Sequence, residues 1–314
     1  MSETERLVSM PITNPDTGRP SRTFRFFGRV DAVDGGTVID WKTVSDPAYF
    51  VQKATIGFQA ECYALALQHE GVKVDCIEYR LIKKPTISFC GKDNGDPELY
   101  FERCVEWLLT TSGALTTHHV HINPARLDAA RAWLWEVSKR ILECRAADRW
   151  LCNENACKTW QRSCEYLPLC MAEAQGADVE WMIGARYEDA PIRYGAELQP
   201  KWNMEPLSYS SATTLCLCEK RYYWRHQRRI QPAQDEHSDA LYVGSAAHVG
   251  LDTLLADGDK DTACGSAFDA LRQWYEAQPP TLGEDAEHKQ QQGLAQAKAI
   301  AVAVAAKWLS GSGA

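Results

Sequence analysis

The sequence has no run of about 18 uncharged apolar residues, so no segment reads as a membrane-spanning helix. Its first ten residues include Glu3, Glu5 and Arg6 and lack the apolar stretch of a secretory leader, so a cytoplasmic location is expected. Positive charge is not in excess either. With 34 Lys and Arg against 42 Asp and Glu, the formal charge is −8, which excludes a surface uniformly coated for phosphate. Contact with nucleic acid must then come from a local patch. No sequence-reading DNA module is visible.

What is present is ordinary globular material: 314 residues, 45% hydrophobic and 24% charged, enough for one large core or two modest ones. The chain also has 12 cysteines, more than packing needs. In a reducing compartment, clustered thiols read as metal ligands before disulfides.

Residues 22 to 42 form two β-rich runs around Asp34-Gly35-Gly36, a strong hairpin signal. Thr55 to His69 fits an amphipathic helix with Gln59 and Tyr63 one turn apart, and Val72 to Ile82 alternates like a strand ended by Pro85. Glu98 to Leu109 and Arg126 to Cys144 are helical by period. Residues 150 to 170 are irregular and cysteine-rich, and 177 to 206 has no strong period and reads as a connector. Ser208 offers a hydroxyl cap to a helix over Ala212 to Trp224, and further helices are expected over about 240 to 256, 264 to 277 and 286 to 309.

Asp31 and Asp40 lie on the two arms of the hairpin, and Lys42 follows Asp40 at the spacing that puts both on one sheet face. Carboxylates converging from neighbouring strands can hold Mg²⁺ or Mn²⁺, while an ammonium beside them orients water or offsets charge growing on phosphate. The competing reading is a solvated surface hairpin. Val38, Ile39 and Trp41 around Asp40 argue against it, because a buried acid needs a partner or a metal.

Gly28-Arg29-Val30-Asp31, then Val38-Ile39-Asp40-Trp41-Lys42-Thr43, then Gln59-Ala60-Glu61-Cys62-Tyr63 resemble the ordered motifs of RecB-like PD-(D/E)XK nucleases, a family that includes helicase–nuclease subunits, phage exonucleases and CRISPR-adaptation nucleases. The resemblance implies that Asp31 and Asp40 are metal ligands, that the Trp41 carbonyl adds a ligand, that Lys42 is catalytic, and that Gln59 and Tyr63 support the site. The family also expects a histidine in a Gly-x-x-x-His segment upstream of the hairpin, and here that pattern lies downstream, at Gly244 to His248. Residues of about 205 to 309 thus resemble the family's first half and residues of about 1 to 172 its second. The chain is read as a circular permutant completed by His248. Two incomplete modules, or a site completed between subunits, would produce the same motif order.

Cys157, Cys164 and Cys170 share a short irregular segment where thiols can converge on one centre. By the resemblance the fourth ligand is Cys218, and four thiolates suit [4Fe–4S]. A Zn²⁺ site would use the same ligands, and Cys152 or Cys216 could substitute for one of them. Cys62, Cys76, Cys104 and Cys144 fall in periodic patterns and read as core thiols. Around Cys218, Arg221, Tyr222, Arg225 and Arg228 mix cations with aromatics in a way that suits phosphate contact and base stacking, against a competing reading of a solvated helix face with its rings in the core.

The expected fold is α/β, a restriction-endonuclease-like central mixed sheet flanked by helices in circularly permuted order. It divides into a nuclease core (1–175), a connector (176–204), a helical part supplying Cys218 and His248 (205–309) and a flexible tail (310–314). The expected activity is metal-dependent hydrolysis of DNA, single-stranded or with free ends, by an exonuclease of recombination, repair or phage DNA processing, alone, as a homo-oligomer or with a helicase or recombination partner. The alternative is a non-cleaving DNA- or partner-binding protein on a degenerate nuclease fold.

Overall fold

The computed structural model describes residues 3–159, 162–190, 204–233, 239–257, 259–277 and 284–309. The chain begins with β1 (Glu3–Thr13), antiparallel to the long β2 (Pro20–Asp34), which turns through Gly35 and Gly36 into β3 (Thr37–Val44) with Ala32 opposite Ile39. Asp46 then caps α1 (Pro47–Ile56) by accepting from the Ala48 and Tyr49 N–H groups. The period predicts one helix from Thr55 to His69, but Gly57 adopts extended backbone and splits it, so that α2 (Gln59–His69) starts afresh. Arg126 holds that break open by donating to the Gly57 carbonyl at 2.6 Å.

β4 (Cys76–Lys83) runs parallel to β3, α3 (Pro97–Thr110) follows, and β5 (Leu115–His121) returns antiparallel to β4 at the sheet edge. This parallel pairing among antiparallel ones, joined later by a second at β2, makes the sheet mixed. After α4 (Pro124–Ala147), the cysteine-rich stretch forms the ribbon β6 (Lys158–Thr159) and β7 (Arg162–Ser163) and then α5 (Leu167–Ala174). The expected connector holds α6 (Val179–Arg186) and β8 (Tyr187–Asp189). α6 buries none of its residues, so it carries no apolar period to betray it.

The remainder of the chain returns to the same sheet. β9 (Glu205–Leu207) pairs parallel to β2 beside Phe24 to Phe26, and Ser208 caps α7 (Tyr209–Leu217) as expected. The helix breaks at Cys218, resumes as α8 (Glu219–Tyr222) and a π turn, and leads to β10 (Ile230–Pro232), which pairs with β8. Three helices complete the described chain: α9 (Asp239–Asp257), α10 (Lys260–Ala277) and α11 (Glu284–Val304). The tail 310–314 lies outside the described residues.

Two cores sandwich the sheet. Phe24, Phe26, Val30, Val38, Ile77, Tyr79 and Leu81 pack with α2, α4 and α7 on one face. Ala32, Ile39, Trp41 and Ile82 pack with α3, α9 and α11 on the other. Each face therefore combines residues from before and after the cysteine-rich stretch, and each buried aliphatic or aromatic side chain contributes about 1.5–3 kcal/mol toward joining them. No helix among the described residues is long and apolar enough to cross a membrane.

Candidate functional site

The paired part of the hairpin ends at Ala32 opposite Ile39, and Asp31 and Asp40 are the residues just beyond that pair on the two arms. β2 changes face at this point: Val30 lies in the first core and Ala32 in the second. Between the pairs Thr4–Ala32 and Arg6–Val30, Glu5 of β1 has a φ of +51°. A left-handed glutamate marks local strain beside Asp31, and strain of this kind concentrates at functional sites.

Asp31 Oδ2 accepts the Trp41 N–H at 2.7 Å, which fixes one acid against the backbone bearing the other. Asp40 is 1% exposed. Its Oδ2 lies 2.6 Å from Lys42 Nζ, a close ion pair that holds the ammonium beside the two acids. α2 brings the third motif to the same face. Gln59 Nε2 donates to the Tyr63 hydroxyl at 3.2 Å, and the Tyr63 ring fills the space beside Gly28, where any Cβ would stand 2.6 Å from Tyr63 Cε1.

His248 arrives from the far end of the chain. α9 approaches β3 so closely at Gly244 that a Cβ there would stand 2.6 Å from Thr43 Oγ1. One turn later the helix delivers His248, whose Nδ1 is 4.0 Å from Asp31 Oδ2.

The electrostatics of the cluster are those of an acid pair short of positive charge. Burial, reinforced by Asp40, pushes the Asp31 carboxyl up to about 7. Burial works against charge on Lys42 as well, but Asp40 and Asp31 outweigh it and keep the ammonium firmly protonated. Burial and then Lys42 push the His248 imidazole down to about 4, leaving a neutral ring with a free lone pair. Tyr63 is pushed up to about 12 by burial and Asp40, so its hydroxyl stays protonated. Two carboxylates and a neutral imidazole are a donor set suited to Mg²⁺ or Mn²⁺, and a divalent cation would relieve the crowding of the acids. Among the described residues, no three His, Cys, Asp or Glu side chains already surround one point; the 4.0 Å gap from His248 to Asp31 would have to close on loading.

The family model of the PD-(D/E)XK nuclease superfamily matches residues 2–171 and 206–311. The chain belongs to that superfamily. The mixed sheet flanked by helices is the restriction-endonuclease-like fold of such nucleases, and they generally use Mg²⁺ or Mn²⁺. No curated protein and no solved structure gives a match.

Around the acids, the nuclease carries two further carboxylates that the motifs do not announce. Asp252, one turn beyond His248, has a buried Oδ1 without a hydrogen-bond partner, and burial with Glu5 pushes its carboxyl up to about 7. Its spacing of four from His248 is the signal that could have singled it out.

The thiols of the irregular stretch are brought near Cys218 by Asn153. The Asn153 N–H donates to Cys218 Sγ at 3.4 Å, and Cys157 Sγ donates to the Asn153 carbonyl at 3.6 Å. Cys164 N–H donates to the Cys157 carbonyl at 2.8 Å. Cys152 and Cys170 meet side chain to side chain. Cys216 instead turns to Trp133 of α4. Cys62, Cys76, Cys104 and Cys144 are buried, as expected of core thiols.

The basic turn differs from a stacking platform. Tyr222 is 4% exposed and stacks on Trp150 with centroids 5.9 Å apart, so its ring faces are taken by the core. Arg221 and Arg225 both pair with Glu165, at 3.1 and 3.6 Å, and Arg228 pairs with Glu180 at 2.8 Å. These cations tie the turn to the segment just before α5 and to α6.

Proposed function

We propose that this nuclease is a RecB-like exonuclease that hydrolyses phosphodiester bonds in single-stranded or end-containing DNA, with its motifs in circularly permuted order and a [4Fe–4S] cluster clamping its two segments. The observation that carries the reading is the approach of His248, on α9, to Asp31 on the hairpin, with Asp40 and Lys42 beside them.

Asp31, Asp40, His248 and the Trp41 carbonyl would hold the divalent ion. That ion supplies Lewis-acid stabilisation of charge on the phosphate and lowers the pKa of water. Lys42, held charged by Asp40 and Asp31, sits where it can orient the attacking water and offset charge on the scissile phosphate. Asp40 keeps that ammonium in place, and the Gln59–Tyr63 contact props the ring wall against Gly28. Arg221, Arg225 and Arg228 remain phosphate contacts only through faces not used by Glu165 and Glu180.

Cys157, Cys164, Cys170 and Cys218 would hold the cluster. Support comes from Asn153, which links two of them, and from the location of Cys218 at the helix break before α8, where side chains from both segments meet. Cys152 stands among them as the alternative ligand, whereas the turn of Cys216 to Trp133 argues against that residue.

The decisive experiment compares wild type with Asp40→Ala on end-labelled linear and circular DNA, single-stranded and duplex, with Mn²⁺. Degradation of linear single strands that spares circles, and is lost in the variant, is expected. Cutting of closed circles would exclude an exonuclease, and equal activity of both proteins would remove the site. Iron and sulfide analysis of anaerobically purified protein tests the cluster, with zinc and no iron as the contrary result.

A further inference from the structure

The sheet edge carries a second group of donors that the nuclease reaction does not use. Three of the chain's eight histidines, His118, His119 and His121, lie in the edge strand β5. Its register with β4 places His121 opposite Cys76 and His119 opposite Glu78. Side chains alternate along a strand, so His119 and His121 share a face, as do Cys76 and Glu78. The residues between them, Ile77 and Val120, pack into the first core, which leaves the four donors together on the opposite face.

We infer that Cys76, Glu78, His119 and His121 form a binding site for Zn²⁺ or a similarly soft divalent ion, separate from the catalytic acids. Cys76 Sγ lies 3.7 Å from His119 Nδ1, and that nitrogen lies 4.0 Å from Glu78 Oε2. Two ligands of one tetrahedral zinc, at its usual bond lengths to S, N and O, stand about 3.3–3.6 Å apart. Both separations from His119 Nδ1 exceed those values by only tenths of an ångström; the described side chains do not yet surround one point, so Cys76 and Glu78 would close on it by side-chain rotation. His121, directly across from Cys76, is within cross-strand reach to supply the fourth position.

The other Glu78 oxygen is already held by Arg80 Nε at 2.5 Å, and that guanidinium rests 4.8 Å from the Trp41 ring centroid. A carboxylate anchored on one oxygen and presented on the other is the outer-shell support that metal sites favour. The His119 side chain is 50% exposed, so an ion can enter from solvent. On loading, the Cys76 thiol releases its proton to solvent and binds as thiolate. Thiolate with imidazole selects zinc or cobalt over Mg²⁺ and Mn²⁺, so the catalytic ions would not compete for this edge.

The test is a Co²⁺ titration of the whole purified protein, with its cysteine-cluster site as isolated, followed by absorbance, for wild type, Cys76→Ala and His119→Gln. Wild type is expected to bind one more tight equivalent than either variant, displaceable by Zn²⁺ but not Mn²⁺, with a thiolate-to-cobalt band in the near ultraviolet that Cys76→Ala lacks. His119→Gln alters an exposed side chain and should fold even if Cys76→Ala does not, with affinity weakened at least about 100-fold. Nuclease activity with Mn²⁺ should be unchanged in both. Equal cobalt binding and spectra in all three proteins would assign any bound metal to the other thiols and overturn the site.

Discussion

His248 Nδ1 stands 4.0 Å from Asp31 Oδ2, although one belongs to α9 and the other to the hairpin at the opposite end of the sequence. The contact depends on how closely α9 can lie on β3, and Gly244 against Thr43 sets that distance. A methyl group at position 244 would meet Thr43 Oγ1 at 2.6 Å and force the helix outward.

Gly244→Ala should therefore lower kcat by about 100-fold, the usual cost of a misplacement near 1 Å. Adding Thr43→Ala removes the obstructing hydroxyl and should restore most of the loss. Steady-state kinetics at saturating Mn²⁺ decide the matter; an unimpaired single variant, or a double variant no better than the single, would break the link between this approach and His248.

Lys42→Ala should cut kcat by roughly 10²–10³-fold, the range for losing one preorganised charge partner. It should also lower Tm, because it strands the buried Asp40 carboxylate. Lys42→Ala with Asp40→Asn should recover the Tm but not the activity. Thermal melts and turnover of the same preparations separate the two effects.

The raised Asp31 carboxyl gives the metal-free protein a defined pH response. Its folded value of about 7 exceeds the ordinary 3.8, so the native state holds a proton that the unfolded chain has lost. Stability from this group is thus greatest at low pH and declines as pH climbs from about 4 to about 7. His248, lowered from 6.5 to about 4, has the opposite slope, losing stability as pH falls through that window. Asp31→Asn should make the pH slope of Tm more positive between about 4 and 7 in melts with chelator present, with Asp252, also raised to about 7, still contributing in the same sense as Asp31 did. Mn²⁺, which must displace the Asp31 proton below about 7, should raise the Tm of wild type more at pH 8 than at pH 5.5.

On the proposed [4Fe–4S] reading, Cys218→Ser should lower iron content and raise protease sensitivity in the segment around Asn153, whose N–H donates to Cys218 Sγ. Cys216→Ser should do neither, its thiol being turned to Trp133. Iron assay and limited proteolysis read both.

The hairpin, with Asp40 and Lys42 on one face, was legible because alternation in a strand is a local rule. So was the cap at Ser208. β5 was not, because an edge strand reading Leu-Thr-Thr-His-His-Val-His buries too little to show a period. Glu5 and Asp252 were hidden for a different reason: their meeting requires β1 and α9 to be neighbours, which no local pattern states. The basic turn looked like a DNA surface because spacing does not reveal that Glu165 and Glu180 claim its cations.

The order in which the acids and the imidazole occur has a consequence during synthesis. A ribosome releases Asp31, Asp40 and Lys42 before His248, so a nascent chain displays the acidic hairpin without that imidazole and without α9 and α11 of the second core, although α3 is already made. On the proposed reading of the site, the acids would hold a metal fully only once α9 has been made and has packed against β3.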